Sequence, residues 1–184
     1  RIYPASMTKI MTALLTIENL PDLNETITVP EDIFEELTAQ DASVAGFNPY
    51  EQPTVRDLLY GVLLPSGADA CETLARAVGG SEEGFVAMMN QKAEELGLTN
   101  THFENCTGLH NDNHYSTCRD IAVLMSECLK SDTFREIVTR EVYTTEATAS
   151  HPEGITLYDT MLHRFTSYEM STTLENGAVI EGGK

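Results

Sequence analysis

The chain has 184 residues, 29 of them acidic and 11 basic, which gives a formal net charge of −18. Its length and a hydrophobic content of 41% are typical of one soluble globular domain and exclude a disordered or fibrous protein. The acidic balance argues against a nucleic-acid partner and against an anchor on anionic lipid, because both need a basic surface. No apolar run approaches the roughly 20 residues needed to span a bilayer.

The first third of the chain is predicted to contain two helices. One begins near Pro4, a residue favoured in the first helical turn. Residues 25–29 (ETITV) alternate as a short strand, and residues 30–53 show no clear periodicity. Thr54 is predicted to cap the second helix, with Asp57 three residues later as the partner in a capping box.

Serine and glycine residues divide the rest of the chain. Ser66 and Gly67 mark a break, and either Ser116 or Thr117 is predicted to cap a later helix that reaches Leu129. The other predicted helices cover residues 68–78 and 81–96, and the predicted strands cover residues 142–148 and 178–181. No repeat or linker interrupts the chain, so a single domain is expected.

The four cysteines do not match a zinc-binding pattern, because no close pair of cysteines meets a second pair of cysteines or histidines. Three of them fall in helical apolar patterns, where a free cysteine acts as a small hydrophobic residue. We therefore expect free thiols at Cys71, Cys106, Cys118 and Cys128.

Ser6 and Lys9 are the first candidates for chemistry, since residues three apart on a helix share a face. Ser6 falls in the first helical turn, where free N–H groups and the positive end of the helix dipole favour a developing oxyanion. Serine is a weak nucleophile until a base takes its proton. A lysine buried among neighbours such as Ile10 and Met11 can be that base, although the same spacing also occurs at ordinary helix starts.

Two further segments offer polar groups. Ser66 stands between two predicted helices, where a serine can relay a proton or simply cap the following helix. Lys184 follows two glycines after a predicted strand and could offer its ammonium to a substrate carboxylate. Because the chain starts at Arg1 and stops at this lysine, we expect it to be an internal piece of a longer protein.

The order of these three motifs resembles that of the penicillin-recognising serine enzymes. The surrounding segments are similar to the D-alanyl-D-alanine carboxypeptidases, which are the low-molecular-mass penicillin-binding proteins. The similar segments extend over nearly the whole chain: residues 3–13 (YPASMTKIMTA), 55–70 (VRDLLYGVLLPSGADA), 100–103 (NTHF), 108–109 (GL) and 114–117 (HYST).

The resemblance implies a serine-type carboxypeptidase that removes the terminal D-alanine from peptidoglycan stem peptides ending in D-Ala-D-Ala. Ser6 would form the acyl-enzyme, Lys9 would be its general base, and Ser66 would relay a proton to the departing D-alanine. Lys184 would face the terminal carboxylate of the substrate. The resemblance also implies inhibition by β-lactams, no cofactor or metal, and a location outside the cytoplasmic membrane in the bacterial cell envelope.

The implied fold is α+β and resembles that of the β-lactamases and DD-peptidases, with a helical cluster packed on an antiparallel sheet. Residues 1–184 would form part of the catalytic domain, with flanking strands and any membrane anchor outside the chain. We therefore expect exposed apolar surface, and either poor solubility or no activity from these 184 residues alone.

One departure from the family pattern bears on two alternative functions. Ala68 stands where the family often has asparagine, and alanine cannot supply an amide to hold the substrate or Lys9. The neighbouring Asp69 is expected to cap its own helix. One alternative is a serine β-lactamase, which the Ser-Gly-Ala sequence and the lack of an assignable deacylating glutamate disfavour. The other is a catalytically weak homologue that binds peptidoglycan or β-lactams without turnover.

The loop that carries His110 and His114 also contains Asp112, so it offers three possible metal ligands. No further ligand follows at helical spacing, as a helical zinc motif would require. We therefore expect this loop to have a structural role.

Overall fold

The computed structural model describes residues 1–162 and the backbone of two short strands, 171–173 and 179–181. A 3₁₀ turn, Ala5–Thr8, leads directly into the first helix. The helices are α1 (Lys9–Asn19), α2 (Ile33–Ala39), α3 (Val55–Leu63), α4 (Ala68–Gly79), α5 (Glu82–Glu95), α6 (Cys118–Cys128) and α7 (Asp132–Val138). The strands are β1 (Val142–Thr144), β2 (Thr156–Tyr158), β3 (Ser171–Thr173) and β4 (Val179–Glu181), and they form two antiparallel pairs, β1–β2 and β3–β4.

Helix α1 is the centre of the helical cluster. It contacts α3, α4, α5, α6 and α7, and all of its residues from Lys9 to Thr16 are buried. A helix surrounded on every side must be apolar around most of its circumference, as the sequence of α1 is. The 3₁₀ turn at its start is therefore attached to a helix buried at the centre of the cluster.

Helix α3 begins at the capping box predicted from the sequence. Asp57 N–H donates to Thr54 Oγ1 at 3.1 Å, and Thr54 N–H donates to Asp57 Oδ2 at 3.0 Å. The other oxygen of this fully buried carboxylate accepts from the Tyr143 hydroxyl at 2.9 Å and from Glu146 N–H at 3.1 Å. Asp57 thus joins the start of α3 to strand β1 and the loop that follows it.

The remaining predicted helix starts also agree with the structure. Ser81 accepts from Gly84 N–H at the start of α5, and Thr117, rather than Ser116, accepts from Asp120 N–H at the start of α6. Gly80 has a φ of +74° at the end of α4, the left-handed conformation that glycine adopts most easily after a helix.

The strand predicted over residues 25–29 is not formed, because its partner segment cannot form a regular ladder. Ile27 N–H donates to the carbonyl of Pro53, a residue that has no N–H to donate in return. The pairing is reduced to an isolated bridge between Thr26 and Thr54.

Helix α2 lies within the segment that showed no periodicity. It is a short helix whose buried side chains are Ile33 and Leu37, four residues apart. A single pair of this kind is too brief a pattern to distinguish a helix from a loop.

The helix-rich architecture with small antiparallel sheets agrees with the predicted α+β class. The predicted strand over residues 142–148 is shortened to β1, which pairs with β2 in a register that sets Tyr143 opposite the buried Leu157. Large apolar side chains are exposed at and after this pair, among them Val142 and Met161. Within the described residues, no helix combines the length and the apolar character needed to cross a membrane.

Replacing Asp57 by alanine tests the junction between α3 and β1. The variant Asp57→Ala leaves four donor groups without their acceptor, namely the three named above and the Thr54 hydroxyl, which donates to Asp57 Oδ2 at 2.6 Å. We therefore expect it to lower the free energy of unfolding by about 3 kcal/mol. Asp132→Ala is the control, because this exposed aspartate also lies in the first turn of a helix and its ion pair with Arg135 is worth less than about 1 kcal/mol. Equal losses in urea unfolding would contradict the proposed role of Asp57.

Candidate active site

A cleft of about 560 Å³ lies between the 3₁₀ turn at the start of α1 and the connection from α3 to α4. Its polar lining includes Ser6, Lys9 and Ser66, so the structure brings together three of the four site residues predicted from the sequence. The fourth, Lys184, lies outside the described residues. Apolar side chains form much of the remaining wall: Ile10, Val62, Leu64, Met125, Phe134 and Val138.

Ser6 and Lys9 face each other at the floor of this cleft. Lys9 Nζ lies 3.5 Å from Ser6 Oγ and donates a second, shorter hydrogen bond of 2.6 Å to the carbonyl of Thr107. The lysine is only 5% exposed, whereas Ser6 is open to solvent. An exposed hydroxyl thus stands next to a buried amine, which is the arrangement in which a base can activate a nucleophile.

The loop of residues 104–109 holds this pair from one side. Besides the Thr107 carbonyl on Lys9, the carbonyl of Cys106 accepts from Thr12 Oγ1 at 2.6 Å. Gly108 has a φ of +85°, and a Cβ at this position would lie 1.9 Å from the carbonyl oxygen of Ala5. Only glycine allows the loop to approach the turn this closely.

Ser66 carries two signs of a functional position. Its φ is +63°, a conformation that is uncommon for residues other than glycine. Its buried Oγ has no hydrogen-bond partner within the described part of the chain. Because an unsatisfied buried hydroxyl costs about 1–3 kcal/mol, such a group is expected where a ligand completes the site.

The sequence suggested that Asp69 caps its own helix, but in the structure its carboxylate binds a neighbouring loop. Its two carboxylate oxygens accept from the N–H groups of Ala45, Gly46 and Phe47 at 2.7, 2.9 and 3.1 Å. Ala68 contacts the same loop, because its N–H donates to the Ser43 carbonyl at 2.7 Å. The position often held by asparagine in the family is thus a buried alanine at the start of α4.

The two histidines of the 110–114 loop have different surroundings. His114 is buried, and both of its ring nitrogens are hydrogen-bonded, to Thr8 Oγ1 and to the N–H of Glu104. His110 lies on the surface beside Asp112. These contacts agree with the structural role expected for the loop.

A second polar cluster lies behind the 104–109 loop. The side chains are those of Glu72, Glu82 and Cys106, and each places one oxygen or sulfur atom within 4.8 Å of the others. Among the described residues, this is the group whose spacing could suit a metal ion. Burial, with the nearby Glu82 carboxylate, raises the pKa of Glu72 to about 7, and the Cys106 thiol donates to Glu72 at 3.3 Å. A proton on Glu72 would reduce the repulsion between its carboxylate and that of Glu82.

All four cysteines are free thiols, as predicted. Three of them are buried, and burial raises the pKa of Cys71 and of Cys128 to about 12. Cys71 and Cys128 therefore act as small apolar side chains in the core. Cys118, which the helical pattern also placed on an apolar face, is exposed instead.

The residues that sequence reasoning missed act through backbone groups or from a distance along the chain. Thr107 binds Lys9 by its carbonyl, which no side-chain pattern reveals. The one available signal was the glycine that follows it, since Gly108 marks a loop that needs an unusual backbone conformation.

Comparison with known proteins agrees with this arrangement. The family model of the D-alanyl-D-alanine carboxypeptidases, peptidase S11, matches residues 1–169. D-alanyl-D-alanine carboxypeptidase DacF of Bacillus subtilis (strain 168) is 41% identical over 149 residues, which are 80% of this chain and 38% of DacF. The D-alanyl-D-alanine carboxypeptidase of Streptomyces sp. (strain K15) is 38% identical over 147 residues, which are 76% of this chain and 50% of that protein. The chain thus spans half or less of the length of these curated relatives.

Solved structures show the same fold. The crystal structure of the Streptomyces K15 DD-transpeptidase matches with a TM-score of 0.78 and 32% identity, covering 96% of this chain and 71% of the other. Penicillin-binding protein 6B of Escherichia coli matches with a TM-score of 0.78 and 26% identity, covering 97% of this chain and 57% of the other. The chain belongs to the peptidase S11 family, the D-alanyl-D-alanine carboxypeptidases.

Proposed function

We propose that the protein is a serine-type D-alanyl-D-alanine carboxypeptidase that removes the terminal D-alanine from peptidoglycan stem peptides. The observation that carries this proposal is the placement of buried Lys9 Nζ 3.5 Å from exposed Ser6 Oγ, in a cleft that also contains the unpartnered hydroxyl of Ser66. Membership of the family supports it, since relatives from Bacillus and Streptomyces carry the name of this activity.

Acylation begins at Ser6. Its Oγ attacks the carbonyl carbon of the penultimate D-alanine while Lys9, as a neutral amine, takes the hydroxyl proton. Ser6 lies in the first turn of its helix, where backbone N–H groups have no intrahelical acceptor. Its N–H is therefore available to donate to the oxygen on which negative charge develops.

Ser66 completes the proton path. Its hydroxyl passes the proton from Lys9 to the amine of the departing D-alanine, and water then hydrolyses the ester on Ser6. The absence of an amide at Ala68 leaves Lys9 without that hydrogen-bond partner, and the carbonyl of Thr107 fills the role at 2.6 Å. Lys184 is proposed to face the terminal carboxylate of the substrate.

The same chemistry defines the partners and the setting that we propose. The substrate is a stem peptide ending in D-Ala-D-Ala, and β-lactams are inhibitors because they acylate the same serine. Residues 1–184 form part of the catalytic domain, and the enzyme acts in the bacterial cell envelope, where this substrate is found. A membrane anchor, if the protein has one, belongs to a part outside this chain, and the net charge of −18 is unsuited to nucleic acid.

Labelling with a fluorescent penicillin tests the assignment of the nucleophile. In the full-length protein we expect one stable adduct, located on Ser6 by peptide mass spectrometry, and no adduct in Ser6→Ala. The variant Lys9→Met should label at least 1,000-fold more slowly, because the proton of Ser6 then has no acceptor. Labelling of Ser6→Ala at the rate of the parent would refute the assignment, and rapid release of hydrolysed penicillin would indicate a β-lactamase instead.

Release of D-alanine from a D-Ala-D-Ala peptide tests the role of Ser66. We expect Ser66→Ala to lower kcat by a factor of about 100 or more, because loss of a proton-transfer group typically costs 10²–10⁴-fold. The control is Ser126→Ala, an exposed serine on α6 outside the cleft, which should retain the parent rate. Unchanged kcat in Ser66→Ala would contradict the proton path, and a parent protein that labels but releases no D-alanine would be a binding homologue without turnover.

A further inference from the structure

A buried hydrogen bond joins the turn that carries Ser6 to a residue 106 positions away. Thr8 Oγ1 lies 2.8 Å from His114 Nε2, and both side chains are buried, Thr8 completely. Thr8 belongs to the 3₁₀ turn Ala5–Thr8 and immediately precedes Lys9. His114 is therefore connected to both members of the Ser6–Lys9 pair through a single short segment of backbone.

The other ring nitrogen identifies the tautomer of His114. Its Nδ1 accepts a hydrogen bond of 3.2 Å from Glu104 N–H, so this nitrogen carries no proton. The proton of the neutral ring is then on Nε2, which donates it to Thr8 Oγ1. The edge-on contact with the Phe103 ring, at 5.6 Å between centroids and 80° between planes, leaves the imidazole little freedom to turn.

Burial keeps this imidazole neutral. It lowers the pKa of His114 from its usual value near 6.5 to about 4. The charged groups that face the ring have smaller and opposing effects, because the Glu104 carboxylate raises this pKa and His102 lowers it. The tautomer that donates to Thr8 is thus present throughout the neutral pH range.

The loop at Glu104 is also the loop that holds the catalytic pair. Three residues after the Glu104 N–H that binds His114, the Thr107 carbonyl binds Lys9 Nζ. The next residue, Gly108, packs against the Ala5 carbonyl. His114 therefore binds the start of the 104–109 loop with one ring nitrogen and the 3₁₀ turn with the other. The end of the same loop contacts this turn directly.

We propose that His114 is a positioning residue for the Ser6–Lys9 pair, holding Thr8 and the 104–109 loop together through its two ring nitrogens. The proposal rests on the proposed function, because the pair that it positions is the one that reacts. His114 does not line the cleft, so it acts through Thr8 and the loop to fix the distance between Ser6 Oγ and Lys9 Nζ.

Two variants remove the hydrogen bond, one from each end, and two conservative variants keep a hydrogen-bonding group at the same position. His114→Leu and Thr8→Val each delete it, and we expect each to lower the acylation rate constant for a fluorescent penicillin at least tenfold with little change in noncovalent affinity. In Thr8→Ser and His114→Gln a donor and an acceptor remain, so we expect rates within about threefold of the parent. The double variant His114→Leu/Thr8→Val should be no slower than the slower single variant, because one shared interaction is lost only once.

The pH profile separates positioning from general destabilisation. Protonation of His114 places a proton on Nδ1 and repels Glu104 N–H, so acylation by the parent should fall as the pH decreases towards 4. His114→Gln has no group that titrates there and should lack this part of the fall. The control is His110→Gln, an exposed histidine beside Asp112 on the same loop, which should keep both the parent rate and the parent profile.

Amide hydrogen exchange gives a readout that does not require acylation. We expect exchange at residues 6–9 to be at least tenfold faster in Thr8→Val than in Thr8→Ser, because the turn is then released from the loop. Equal exchange in these two folded variants, or a parent rate of acylation in Thr8→Val, would overturn the proposal. A parent protein that takes no penicillin would refute the proposed function alone, since the exchange experiment still decides whether His114 holds the turn.

Discussion

The hydrogen bond between Lys9 Nζ and the carbonyl of Thr107 is the interaction on which the site depends. A buried amine needs a polar partner, because an unsatisfied polar group in a protein interior is costly. The 104–109 loop must therefore reach the start of α1, and Gly108 is the residue that makes this approach possible.

The surroundings of the other described lysines show how unusual this arrangement is for the chain. Lys92 forms ion pairs with Glu18 and Glu95, and Lys130 pairs with Glu127. In a protein with 29 acidic residues, such partners are easily available at the surface. Among the ion pairs of the described residues none includes Lys9, which is enclosed by the apolar helices around α1 instead.

The sequence predicted best those features that depend on neighbouring residues. Ser6 and Lys9 share one face over a single turn, and the capping box of Thr54 and Asp57 closes within four residues, so local spacing sufficed for both. Contacts between segments far apart in the chain could not be predicted from the sequence, because no local spacing indicates them. The expectation for Asp69 was wrong, because its carboxylate binds N–H groups more than 20 residues earlier in the chain instead of those of its own helix.

The central claim is that close approach of the loop to the nucleophile turn positions Ser6 and Lys9. The most direct test is the acylation rate of Gly108→Ala in the full-length protein, compared with that of Gly97→Ala. Both glycines have a positive φ, +85° and +70°, so both variants carry similar backbone strain. Only at Gly108 would the new Cβ collide with a carbonyl, that of Ala5, since at Gly97 it meets no atom within 4 Å. We expect acylation of Ser6 to fall at least 100-fold in Gly108→Ala and to persist in Gly97→Ala. A folded Gly108→Ala protein that reacts at the parent rate would contradict the account.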